Sequence, residues 1–186
     1  MQSTSTDPLV LPDWSRVSNA RKVHIQSVAQ VVLQWAAEMK VSSRERARWL
    51  RSVALHDALK DAPQSLLLEM TSDPWGIPKL VHGPAAAVAA ERSGETDAGI
   101  LDAVRYHSVG FSGWDAVGKI LYLADYLEPG RSFHTERHAA MIARVPRQFE
   151  DVLRSVTTER ISQQISRRFS LLPETVAFWN SLVSVS

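Results

Sequence analysis

Four histidines and two aspartates recur at helix-sized intervals in largely aliphatic surroundings: His24 in RKVHIQSVAQVV, His56 and Asp57 in ALHDALK, His82 in LVHGPAAAVA, His107 in AVRYHSVG and Asp125 in ILYLADYLEPGR. An imidazole or carboxylate among apolar neighbours needs a partner, because burying an unpaired charge costs far more than exposing it. For any one of them, a backbone carbonyl or an opposing side chain is the ordinary partner. On a helix, Leu121, Tyr122 and Asp125 share a side, which turns the carboxylate toward protein. Together, four imidazoles and two carboxylates suit iron, manganese, zinc or a related divalent ion if the fold makes them converge. The chain has no cysteine, so disulfides, thiolate catalysis and zinc–thiolate sites are excluded and any metal must take nitrogen and oxygen ligands.

The elements that must position these groups read as helices throughout. Ser15 or Ser18 caps a helix running to about Met39, with Val23, Val28, Val31, Val32 and Trp35 on its apolar side. A second helix is predicted from Ser43 to Lys60, carrying the His-Asp pair in its interior, and Pro63 begins a short one through SLLLEM. His82-Gly83-Pro84 introduces AAAVAAERS, an alanine-rich helix ended by Gly94. Thr96 is the expected cap of the next, which ends near His107. Asp115 to Leu127 is strongly apolar and stops at Glu128-Pro129-Gly130. Two more helices flank Pro146, the later one extending toward Phe169, and Pro173 begins the last. No two-residue hairpin signal or internal repeat occurs, so the fold class is all-α, with residues 1–14 an irregular lead-in and 15–186 a single domain.

A chain of 186 residues suffices for one domain with a sizeable core, and 45% hydrophobic with 22% charged residues is far from disorder. A formal net charge of +1 argues against a surface that neutralises many backbone phosphates, so no nucleic-acid partner is expected. The apolar runs are too short to span a membrane, and MQSTSTDPLVLPDW lacks the basic and apolar regions of a secretory signal. A cytoplasmic location is the expectation.

The ordered set of motifs, together with the terminal LPETVAFWNSL, resembles the bacterial HD-domain metal-dependent phosphohydrolases that split diadenosine tetraphosphate symmetrically. The likeness runs from about residue 16 to residue 183. It implies an HD-type helical bundle with a buried metal centre, in which His24, His56, Asp57 and Asp125 hold one ion and Asp57, His82 and His107 a second. Asp57 then bridges the two. The ions implied are divalent or mixed-valence, iron first, with manganese or another transition metal as alternatives. The reaction implied is hydrolysis to two ADP by a metal-activated water. Another nucleotide substrate, or a noncatalytic nucleotide sensor, is the competing expectation. The partners implied are a dinucleoside polyphosphate or another small nucleotide, and a second copy of the chain in a homodimer.

Several further residues bear on such a substrate. Lys60 follows Asp57 by three positions and could neutralise a phosphate or assist proton transfer, or simply complement the helix dipole. Arg131, after the EPG stop, could meet a polyphosphate bidentately or bridge to Glu128. Arg105 should point away from His107 on a regular helix and is the weaker phosphate contact. In SVGFSGW, Ser108 keeps a hydroxyl where the resembled family has a threonine-rich turn, and Val109 and Trp114 bear on the pocket wall. Gly83 and Gly130 read as packing or turn residues, since HGPAAAV is not a phosphate-binding loop. His134 and His138 in FHTERHA lie in polar sequence and are expected on a solvated helix face. Trp14, Trp35, Trp49 and Trp179 are expected to pack, while Trp75 and Trp114 lie beside bends.

Overall fold

Ser18 ends the lead-in by accepting a hydrogen bond from the Arg21 backbone N–H at 3.2 Å, and the first helix begins at the next residue. The computed structural model describes residues 9–130 and 135–184, Thr135 by its backbone alone. Among these residues the elements are α1 (Asn19–Glu38), α2 (Ser43–His56), α3 (Gln64–Met70), α4 (His82–Arg92), α5 (Ala98–Tyr106), α6 (Ala116–Leu127), α7 (Thr135–Arg144), α8 (Phe149–Ser166) and α9 (Pro173–Val183), with a 3-10 turn at Pro78–Leu80. No strand occurs among the described residues, and the fold is all-α. No helix among them is long and apolar enough to cross a membrane.

The core forms where α5 packs on α2, α4 and α6, and α1 closes over α2 and α6. Helix α6 is buried at Ile120 through Leu127, so it runs through the centre and carries Asp125 with it. Helix α4 presents Ala85, Ala86, Ala87, Ala89 and Ala90 to the interior, and such small side chains permit close packing. Its approach to α5 is limiting at Gly83, where a Cβ would come within 3.0 Å of the Val104 and Arg105 carbonyl oxygens. Arg48 fixes three helix starts at once. It pairs with Glu45 in the first turn of α2 at 3.0 Å, with Asp97 at 2.7 Å and with Asp115 at 2.7 Å. Asp97 and Asp115 are the N-caps of α5 and α6, so Asp97 takes the capping role expected of Thr96.

Four other features differ from the sequence-based expectation. Helix α2 stops at His56 rather than Lys60. The chain there tightens into turns, with Ala58 N bonding to Leu55 O at 3.1 Å and Lys60 N to Asp57 O at 3.0 Å. The segment before α1 competes for this backbone: Arg16 N donates to Ala58 O at 2.7 Å, and Asp61 accepts from Ser18 N at 2.8 Å. Val23 lies on the outer side of α1 and is 65% exposed. Helix α8 ends at Ser166, because Arg168 turns the backbone left-handed at φ 58. His138 is buried, not solvated; it packs on Tyr126 with ring centroids 5.2 Å apart, so tertiary contact overrides its polar sequence neighbours. His134 lies outside the described residues.

Candidate metal centre

The break after His56 has a chemical consequence. Neighbouring residues on a regular helix point about 100° apart, whereas here Asp57 leaves the helix with φ −111 and ψ 14. His56 and Asp57 can then address the same interior point, with His56 Nε2 3.7 Å from Asp57 Oδ2. The two Asp57 oxygens face different groups. Oδ2 lies 3.7 Å from His24 Nε2, and His24 Nε2 lies 3.2 Å from Asp125 Oδ1. Oδ1 lies 3.2 Å from His82 Nε2 and 3.5 Å from His107 Nε2. The ligand atoms of His24, His56 and Asp57 fall within 4.8 Å of one another, and so do those of Asp57, His82 and His107.

Every imidazole of the cluster is oriented the same way. His56 Nδ1 meets Val53 O at 2.8 Å, His82 Nδ1 meets Lys79 O at 2.9 Å, and His107 Nδ1 meets Val104 O at 2.8 Å. A carbonyl only accepts, so each Nδ1 carries the hydrogen and each Nε2 is turned inward. His56 and His107 stand at the C-terminal ends of α2 and α5, where carbonyls lack helical partners, and His82 takes a carbonyl of the 3-10 turn before α4. His24 achieves the same orientation with a side chain, donating from Nδ1 to Glu128 Oε1 at 3.2 Å.

This donor set fits metal ions. The Nε2 atoms of His24 and His56 are buried without a hydrogen-bond partner, although the first lies close to Asp125. His82 Nε2 and His107 Nε2 are 3.1 Å apart, close enough for both nitrogens to hold one cation. Protein cations already stand at both sides of Asp57. Arg21 Nη1 donates to Asp57 Oδ2 at 2.7 Å, and Lys60 Nζ donates to His82 Nε2 at 3.1 Å. Nitrogen and oxygen ligands of this kind suit divalent transition metals, with outer carbonyls and a carboxylate fixing the rings.

Burial pushes His56 and His82 down to about 4, leaving both neutral, the ligating form, at pH 7. Burial would also lower His24, but the carboxylates of Asp125, Asp57 and Glu128 hold it above its ordinary value. Asp57 is held well below the usual carboxylate range, its burial being outweighed by His56, His107 and His82. The unfolded chain returns His56 and His82 to the ordinary 6.5. Between that value and about 4 it therefore binds more protons than the folded chain, so stability falls as the pH falls. His24 acts in the opposite direction, its contribution being present below 6.5 and lost as pH rises through its raised value. Two strongly lowered groups outweigh one raised group. Denaturant melts of chelator-treated protein should lose a few kcal/mol, on the order of 2–5, between pH 6.5 and 4.5. Identical melts across that range would contradict the burial of neutral imidazoles.

Glu128 and Arg21 escaped the sequence reading as members of the cluster. Glu128 is buried, holding His24 with one oxygen and the Gly130 N–H with the other at 2.7 Å. The EPG stop signalled a turn and gave no sign of a histidine 104 positions away. Glu128→Gln keeps the shape but removes the charge that orients and enriches His24. Its metal affinity is expected to fall roughly 10- to 100-fold, measured by chelator competition; an unchanged affinity would remove Glu128 from the site.

The other sequence-selected residues divide by place. Lys60 is at the centre. Arg105 pairs with Asp102 at 2.8 Å and lines a neighbouring cavity instead. Ser108 is half-buried, and its carbonyl accepts from Arg160 at 2.8 Å. Arg131 lies outside the described residues. Val109 and Trp114 turn into the core, Trp114 packing 5.1 Å from Phe178 and donating to Asp102 O at 3.0 Å.

The HD domain family model matches residues 21–130. A symmetrical bis(5'-nucleosyl)-tetraphosphatase from Bacillus subtilis is 46% identical over 57 residues, 30% of this chain and 31% of that protein. One of the same name from Halalkalibacterium halodurans is 28% identical over 106 residues, 56% of each chain. The chain thus spans between about a third and just over half the length of these relatives. A crystal structure from Clostridium acetobutylicum, described as a "predicted HD superfamily hydrolase involved in NAD metabolism", shares the fold with a TM-score of 0.77. It is 22% identical, with 91% of this chain and 92% of that one covered. With the match spanning more than half of its length and enclosing every residue of the histidine–aspartate cluster, this chain belongs to the HD domain family.

Proposed function

We propose that the chain hydrolyses diadenosine tetraphosphate symmetrically, releasing two ADP. Asp57 carries that conclusion: its two oxygens face separate imidazole groups, as a carboxylate shared between two ions requires. The names of the partial relatives support this choice of substrate. His24, His56, Asp57 and Asp125 would hold one ion, and Asp57, His82 and His107 the other. Two divalent ions, iron first and manganese or another transition metal second, supply Lewis acidity and a water nucleophilic at neutral pH. The work of the chain is to keep four Nε2 atoms and the Asp57 carboxylate aimed at one interior volume. A small nucleotide in the cytoplasm is the partner of this scheme, with neither nucleic acid nor membrane taking part.

Lys60 and Arg21 have a second task. Each contacts an atom that an ion would take, so metal binding would leave both charges to meet an anionic substrate. Lys60→Ala should keep its metal while turnover drops about a hundredfold, the usual size for one positioned proton donor or charge. Unchanged kinetics would return Lys60 to a purely structural role.

The deciding experiment is anaerobic purification with metal analysis, followed by diadenosine tetraphosphate hydrolysis in isotopically labelled water. Paired ADP as the initial product is expected. Initial AMP plus ATP would reject symmetrical cleavage. No turnover of this substrate, with efficient hydrolysis of another nucleotide, would keep the centre and replace the substrate.

A further inference from the structure

A cavity of about 170 Å³ lies along the seam of α4 and α5, closed by the Thr71–Trp75 loop and the first turn of α9. Pro84 in its wall follows His82 by two residues, and Arg105 and Tyr106 directly precede His107. Both stretches belong to the helix ends that carry His82 and His107, the start of α4 and the end of α5.

The walls have an unusual chemistry for a surface groove. Trp75 and Tyr106 contribute aromatic rings 6.3 Å apart and inclined by 60°, and Tyr106 is itself stacked on Phe111 at 4.5 Å. Two lining residues carry buried polar atoms with no hydrogen-bond partner among the described residues: Trp75 Nε1, a donor, and Glu174 Oε2, an acceptor. Leaving such atoms unpaired is costly, and native proteins seldom do so without reason. A carboxylate here repels phosphate, and the wall's cation, Arg105, is already engaged by Asp102. Pockets that engulf a whole drug-sized ligand run to roughly 300–1,000 Å³, so this smaller space suits one ring system.

We propose that this cavity is the base subsite of the nucleotide substrate. It takes a purine, whose amino or ring N–H meets Glu174 and whose ring nitrogen or carbonyl accepts from Trp75 Nε1. The aromatic walls supply stacking that any base can use, and the donor–acceptor pair supplies the selection. This assignment rests on the nucleotide activity proposed above.

Binding of ADP, GDP, UDP and inorganic pyrophosphate to the metal-loaded protein, measured by calorimetry, tests it. Purine diphosphates should bind more tightly than UDP or pyrophosphate. Trp75→Leu and Glu174→Leu should each weaken ADP roughly tenfold or more, leaving pyrophosphate binding and metal content unchanged. Purine riboside diphosphate, which lacks the amino group, should bind less tightly than ADP, and E174L, which removes the acceptor oxygens, should erase that difference. Trp75→Phe, which keeps a ring but loses the N–H, should fall between wild type and W75L. If wild type prefers ADP to pyrophosphate but W75L and E174L bind ADP normally, the base sits elsewhere while the nucleotide activity stands. If wild type binds ADP no better than pyrophosphate and hydrolyses no nucleotide, the nucleotide activity itself fails, and the subsite with it.

Discussion

Asp57→Asn is expected to abolish nucleotide hydrolysis, by on the order of a thousandfold or more, while the helical fold persists. The substitution preserves side-chain volume, so packing around the buried site changes little. Its chemistry changes completely. The amide offers one acceptor oxygen and one NH₂ group, and the NH₂ must face either Arg21, itself a donor at 2.7 Å, or the His82–His107 side at 3.2 and 3.5 Å. Neither orientation leaves a shared anion. Loss of one group that stabilises developing charge typically costs ~10²–10³ in turnover, and Asp57 would serve two ions. Arg21 also loses its carboxylate partner, so a lower melting temperature of the metal-free protein accompanies the loss. Circular dichroism, metal analysis and turnover measured together check this. Normal turnover at normal metal content would refute a bridging Asp57.

His82→Ala and His107→Ala should each remove one ion and leave the other, with turnover falling roughly a hundredfold to a thousandfold. The reason is geometric. Both imidazoles lie on the Oδ1 side of Asp57, whereas His24, His56 and Asp125 gather on the Oδ2 side. Metal stoichiometry should therefore separate the two sides, with His24→Ala emptying the other one. His138→Ala is the control, being buried against Tyr126 outside the cluster. It should lose stability by cavity formation yet keep its metal content and kcat. Loss of both ions from H82A and from H107A, with the fold retained, would show that the sides do not load independently.

Sequence alone determined the helical order, because hydrophobic periodicity, caps and prolines act within a few residues. It also determined the ligand chemistry: without cysteine, only imidazole and carboxylate remain for a transition metal. The residues that now surround Asp57 stood out as polar groups in apolar runs, a local signal as well. What tertiary structure decided is everything that joins distant segments. The end of α2 at His56 depends on Arg16 and Ser18 pairing with the backbone and side chain after it, and that break aims Asp57. Glu128 becomes the partner of His24, and Arg21 that of Asp57, only because α1 crosses α2 and α6. His138 is drawn inside by Tyr126 despite polar neighbours in sequence. The orphaned Trp75 and Glu174 meet at one cavity only when α9 closes against the loop before α4. Periodicity tells which face of a helix is apolar, but the partner of a polar group is chosen by the contact of elements far apart in the chain.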